Sequence, residues 1–78
     1  MEDSPLTLFG LRLKELRKIR GISQEKLALE CGIARSYLGE VERGKRNIAL
    51  INIYKLADTL GVPASTLLEP PSQQIKED

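Results

Sequence analysis

Along the first part of the chain, apolar residues recur at helical intervals. Phe9, Leu13, Leu16 and Ile19 are spaced by four, three and three residues, which predicts a helix from Leu8 with one buried stripe, stopped at Gly21. Ser23 is placed to cap a second helix by accepting a bond from its free amides. Gln24 and Glu25 stand in the first turn, where the helix dipole favours an acid. Leu27, Ala28 and Cys31 form the inner face, and Gly32 follows directly, the residue expected where a helix ends in a left-handed conformation. Ile33 fills the bend, and a third helix over about residues 34–43 turns Leu38 and Val41 inward and closes at Gly44. A fourth, over about 49–60, puts Leu50, Ile53, Leu56, Ala57 and Leu60 on one stripe and stops at Gly61; a short fifth, near 64–69, follows Pro63. No segment alternates apolar and polar residues for long enough to compete as a strand. The expectation is an all-α, five-helix domain over residues 8–69, between an N-terminal tail (1–7) and a frayed polar C-terminal tail (70–78, "PSQQIKED" after Pro70).

A chain of 78 residues buries a single core. Its aromatics are Phe9, Tyr37 and Tyr54 alone, so that core must be built from Leu, Ile, Val and Ala. The longest run without a charged residue is ten residues, Thr59 to Leu68, short of the ~20 that span a bilayer. "MEDSPLTLFG" has acids where a secretory signal needs basic residues, which argues against export and makes the cytoplasm the expected location. With one cysteine and no histidine there is no intrachain disulfide and no zinc constellation, and neither metal nor cofactor is expected. Cys31 reads most simply as a small, half-buried apolar residue.

The net charge of +1 argues at first against a nucleic-acid partner, but its distribution does not. Residues 12–46 hold ten Lys/Arg against five acids, whereas residues 1–11 and 47–78 each carry −2. A solvated helical surface and a nucleic-acid-binding face both fit that asymmetry.

Helix, tight glycine turn, helix is the helix-turn-helix pattern, formed here by the second and third helices. A helix fits the DNA major groove, and its leading positions here are Arg35 and Ser36. An arginine fork can bond guanine O6 and N7 together, and a serine hydroxyl can donate or accept. Gln24, at the start of the preceding helix, could contact a phosphate with its amide and with the helix N-terminus. Tyr37, Arg43, Asn47 and Asn52 are further phosphate candidates. Tyr37 could instead pack on the core edge, and Asn47 could cap the fourth helix. Lys45 and Arg46 are placed to track the backbone, and an arginine there could enter a minor groove.

"SQEKLALECGIARSYLGEVERG" resembles the helix-turn-helix signature of the phage-repressor superfamily, the Cro-like or XRE regulators, at Gln24, Leu27, Ala28, Gly32, Ile33, Glu42 and Gly44. The likeness extends from about Phe9 to Leu68, and "ARSYLGEVERGKRNIALINI" is most similar to controller proteins of restriction–modification systems. The resemblance implies a lambda-repressor-like fold. It implies base reading by Arg35 and Ser36, minor-groove contact by Arg46, phosphate contacts by Gln24, Tyr37, Asn47 and Asn52, and a structural ion pair between Arg17 and Glu42. Two departures stand out. Ala34 replaces the usual polar cap and Gly39 sits mid-helix, each at a cost of ~1 kcal/mol; close approach of the DNA backbone would account for Gly39.

One recognition helix reads few base pairs, so a homodimer on half-sites ~34 Å apart is expected. Ile51 and Tyr54 lie off the core stripe, and with Val62 and Leu67 they are the expected two-fold interface; extra core coverage is the alternative. The sequence thus points to a dimeric, sequence-specific regulator that binds a pseudo-palindromic double-stranded DNA operator, autoregulates, and switches a restriction–modification operon, with RNA polymerase considered as a further partner. An antitoxin, immunity-type or phage-type repressor acting through a protein partner is the rival. An enzyme is not expected, for the chain has no histidine, no phosphate-cradling glycine loop and no convergent carboxylates.

Overall fold

A computed structural model describes residues 4–72. Five helices follow in order: α1 (Pro5–Arg20), α2 (Gln24–Cys31), α3 (Arg35–Glu42), α4 (Leu50–Leu60) and α5 (Ala64–Leu67). No strand occurs among the described residues. α1 packs across α3, α4 and α5, while α2 sits on α3 and α4. Between them lies one core in which Leu13, Leu27, Leu38, Leu56 and Leu67 are wholly buried. Burial pushes the Cys31 thiol above its usual range, an effect that a hydrogen bond with Thr59 and the charge of Lys55 partly offset.

Helix boundaries follow their caps. α1 begins three residues earlier than its apolar stripe suggests, because Ser4 Oγ accepts from the Thr7 amide at 3.2 Å and Pro5 supplies a ready-made first turn. Residues 4–7, expected as tail, therefore belong to the domain, and residues 1–3 lie outside the described residues. α5 is shorter than expected, ending at Leu67 rather than near Glu69.

Two apolar residues expected in the core are outside it. Ile19 is 75% exposed. On a helix of about 3.6 residues per turn, each step of three turns the position back by roughly 60°, so the two successive steps from Leu13 to Ile19 carry it off the buried line. Arg17 takes the inward position instead. Leu50 lies in line with the α4 stripe but in its first turn, beyond the packed body, and is 65% exposed.

Leu67 corrects the expected interface in the opposite sense. At 0% exposure it closes the core between α1 and α4, so it cannot meet a second chain; its neighbour Leu68 is the exposed one. Arg12, counted in the basic middle of the chain, is also internal. Its Nε donates to the Thr66 carbonyl, Nη1 to Glu15 and Nη2 to Glu69, each at 2.9 Å, which ties α1 to the end of α5. Glu15 then accepts from the Ser72 amide at 3.0 Å and hydroxyl at 2.9 Å. The first residues of the expected frayed tail are therefore held on α1, and residues 73–78 lie outside the described residues.

Where α1 crosses the end of α3, the backbones touch. A Cβ at Gly10 would stand 2.5 Å from the Glu42 carbonyl oxygen and 2.6 Å from that of Val41, so only glycine permits this approach.

Candidate nucleic-acid interface

The turn between α2 and α3 depends on Gly32, whose φ of 78° is left-handed backbone that a side chain would strain. Its amide donates to the Ala28 carbonyl at 2.9 Å, and the next amide, of Ile33, returns to the same oxygen at 3.0 Å. These bonds close α2 and redirect the chain into α3. The first residue of α3 follows Ala34, which is extended and makes no side-chain cap bond. Nothing local therefore anchors this N-terminus, and packing must hold it.

That packing is polar as well as apolar. Arg17 offers its fork to Glu42, Nε to Oε2 at 2.7 Å and Nη2 to Oε1 at 3.0 Å, with Nη1 donating to the Ile22 carbonyl at 2.9 Å. The side chains are only 10% and 3% exposed. Glu42 Oε1 also accepts from Gln24 Nε2 at 2.9 Å. One buried carboxylate thus joins α1, the start of α2 and the end of α3, and the Arg17 guanidinium adds the turn before α2. Bidentate, charge-assisted geometry of this kind supplies strength and direction together.

Gln24, expected at a phosphate, therefore has an amide N–H committed inside the domain. Its carbonyl oxygen lies 3.5 Å from where a Cβ of Gly39 would stand, and Arg43 Nη1 lies 3.3 Å from the same point. Gly39 is buried beneath these two side chains, whose flexible ends would have to shift by only a few tenths of an ångström for an alanine there.

Leu38, Val41 and Glu42 face the core, so the opposite line of α3 runs through Ser36, Glu40 and Arg43, at i, i+4 and i+7. Arg35 and Ser36 are exposed at its leading end, Arg43 at its trailing end, with Lys45, Arg46 and Asn47 exposed in the loop beyond. Tyr37 is half-buried on the flank toward α4, packed against the core as the alternative reading had it. Its hydroxyl accepts from Asn52 Nδ2 at 3.2 Å and from the Ala49 amide at 3.4 Å. The Arg46 guanidinium lies 5.0 Å from the centre of the Tyr37 ring, in cation–π contact, while its Nε donates to Glu40 Oε1 at 3.1 Å. The cap of α4 is Ala49, without a side-chain bond, so Asn47 does not cap that helix.

Sequence reasoning missed Glu40. The signal for it was available, since a residue four positions after Ser36 must share its face. The stacking of Arg46 on Tyr37 carries no such signal, because it depends on the path of an irregular loop.

The helix-turn-helix family model matches residues 13–67. The chain belongs to the helix-turn-helix family. Among relatives of this helix-turn-helix regulator, control protein C.BamHI from Bacillus amyloliquefaciens is 44% identical over 70 residues, covering 88% of this chain and 86% of the relative. A hypothetical transcription factor from Neisseria meningitidis is 48% identical over 68 residues, covering 87% of this chain; the match spans 62% of that longer relative. The crystal structure of the restriction–modification controller protein C.AhdI from Aeromonas hydrophila is similar with a TM-score of 0.78 and 53% identity, over 80% of this chain and 94% of that one. SinR, a master regulator for biofilm formation solved in complex with DNA, gives 0.75 and 37%, over 78% and 98%. The XRE/Cro-like resemblance and the five-helix, all-α fold are both shown by these matches.

Proposed function

We propose that this helix-turn-helix regulator is a restriction–modification controller that binds a pseudo-palindromic double-stranded operator as a homodimer and regulates its own promoter. One observation carries the DNA-binding surface. Arg35 and Ser36 are exposed at the leading end of α3, whose other side is fixed by the buried Arg17–Glu42–Gln24 network. A rigid helix with a free arginine fork at its tip can enter a major groove and bond a guanine edge. Lys45, Arg46 and Asn47 follow in the loop where the phosphate backbone would pass, with Arg43 at the helix end; Tyr37 and Asn52 keep phosphate-facing roles through the Tyr37 hydroxyl hydrogen. Likeness to C.BamHI and C.AhdI supports the controller assignment, and likeness to the SinR–DNA complex supports the partner.

Dimerisation rests on α4. Leu50, Ile51 and Tyr54 are exposed there, and Val62 is half-buried nearby in sequence. Ile51 and Tyr54, three residues apart on the side of the helix turned from the core, with Leu50 exposed in the first turn beside them, make a surface suited to a second copy. The reading involves no catalysis, places the protein in the cytoplasm beside its operator, and has RNA polymerase as the partner through which a bound dimer would alter transcription. Among the described residues, no helix is long and apolar enough to cross a membrane.

Sedimentation and footprinting on the DNA upstream of its own gene test this together. A dimer at micromolar concentration protecting two half-sites about 34 Å apart is the expected result. An Ile51→Asp, Tyr54→Asp variant should sediment as a folded monomer and lose operator affinity. Protection of a single half-site by a species that never dimerises would overturn the dimeric reading, and absence of any footprint would overturn the controller assignment.

A further inference from the structure

The side of α3 opposite the core carries an acid. Glu40 sits between Ser36 and Arg43 on the outermost line of the helix, and its side chain is 42% exposed. A carboxylate at the centre of a surface that must approach phosphates is repelled by them, so it costs affinity on every DNA sequence. It recovers that cost only where it meets a hydrogen-bond donor. In the major groove, donors on base edges are the exocyclic amines, and a glutamate is suited to accept from N4 of cytosine.

The structure also shows how Glu40 is held. Arg46 Nε binds Oε1, and the Arg46 guanidinium rests on the Tyr37 ring, so a stacked cation on the loop side orients the carboxylate from one edge. Among the described residues, Arg46 is the only side chain that forms a hydrogen bond or ion pair with Glu40. Oε2 therefore remains as an acceptor on the outer line of the helix, one turn beyond Ser36.

We propose that Glu40 is a specificity-determining residue that accepts a hydrogen bond from the N4 amine of a cytosine in the operator, with Arg46 as the positioning residue that orients it. This rests on α3 being the groove-binding helix. Glu40 and Arg35 would then read different base pairs, the arginine selecting guanine at the tip and the glutamate selecting cytosine about one helical turn further along. Glu40 also acts against indiscriminate binding. Opposite guanine or thymine its charge faces acceptors, and opposite adenine the N6 amine comes with the repulsive N7 acceptor beside it.

Selection of bound sequences from a randomised DNA library, with the full chain and its Glu40→Gln, Glu40→Ala, Arg46→Ala and Arg35→Ala variants, tests the proposal. The parent should favour cytosine by about tenfold at one position. Glu40→Ala should erase that preference and leave the Arg35-dependent guanine in place, while Glu40→Gln should shift it toward adenine, whose N6 and N7 match a carboxamide. Both Glu40 variants should bind unrelated DNA more tightly than the parent. If the parent selects a guanine that depends on Arg35, yet both Glu40 variants select the same sequences as the parent, the Glu40 proposal is wrong and the DNA-binding reading stands. The Glu40 proposal fails equally if its variants change only overall affinity, in step with Arg46→Ala, because Glu40 would then merely hold Arg46. If the parent selects no sequence at all, the groove-binding reading and the proposal fall together.

Discussion

Arg17–Glu42 and Arg46–Glu40 each join an arginine to a glutamate of α3, yet they stand on opposite sides of that helix and differ in nearly every physical respect. The inner pair is buried, bidentate at 2.7 and 3.0 Å, and its carboxylate takes a third bond from Gln24. The outer pair makes one bond at 3.1 Å between side chains that are 50% and 42% exposed. Burial removes solvent competition from the first pair and makes a lone partner costly, so it holds α3 in one orientation. Exposure lets solvent and salt compete for the second pair, so it adds little to the stability of the fold. The helix is fixed from behind and free in front.

The largest test of this contrast breaks the inner pair. Arg17→Met leaves the Glu42 carboxylate buried against Gln24 alone, and a loss of ~3–5 kcal/mol in urea unfolding is expected. A loss below about 1 kcal/mol would place the pair among ordinary surface contacts. Next in size, Gly10→Ala drives a Cβ into the backbone carbonyls of Val41 and Glu42, which no side-chain rotation relieves. Overpacking of this kind costs ~1–3 kcal/mol, read as a lower unfolding midpoint, and the α1–α3 crossing should open measurably in amide exchange near Glu42. The smallest effect belongs to the outer pair. A double-mutant cycle on Glu40 and Arg46 in the absence of DNA should give a coupling of no more than ~1 kcal/mol, fading as salt is raised. Coupling as large and salt-insensitive as that of the inner pair would erase the distinction between the two faces.

Much of the fold was legible because helical period and core burial coincide. Leu13, Leu16, Leu27, Leu38, Leu56 and Leu60 fall on their stripes and are buried, and Gly21, Gly32 and Gly61 end their helices in left-handed backbone. The failures are places where period alone does not determine what lies opposite. Ile19 was carried off the buried line by an accumulated rotation, and Leu50 sits on its line with nothing packed above it. Leu67 ends a four-residue helix and Leu68 caps it, and so short a helix has too little period to say which of the two turns inward. Arg12 looked like one more cation in a basic run; only the return of α5 and Glu69 to α1 makes it a buried tie. The candidate site divides in the same way. Arg35 and Ser36 could be placed from the turn signature, whereas the partners of Gln24, Tyr37 and Arg46 depend on which helix lies across from them.

The central claim is that α3 is the element that enters the major groove, with Arg35 at its tip. Quantitative gel shifts with the parent and Arg35→Ala, on the operator and on versions altered one base pair at a time, measure it most directly. The expected result is a preference for one guanine worth ~1–3 kcal/mol that disappears in Arg35→Ala while weaker general binding persists. An Arg35→Ala protein that discriminates among those operators as the parent does would contradict the claim.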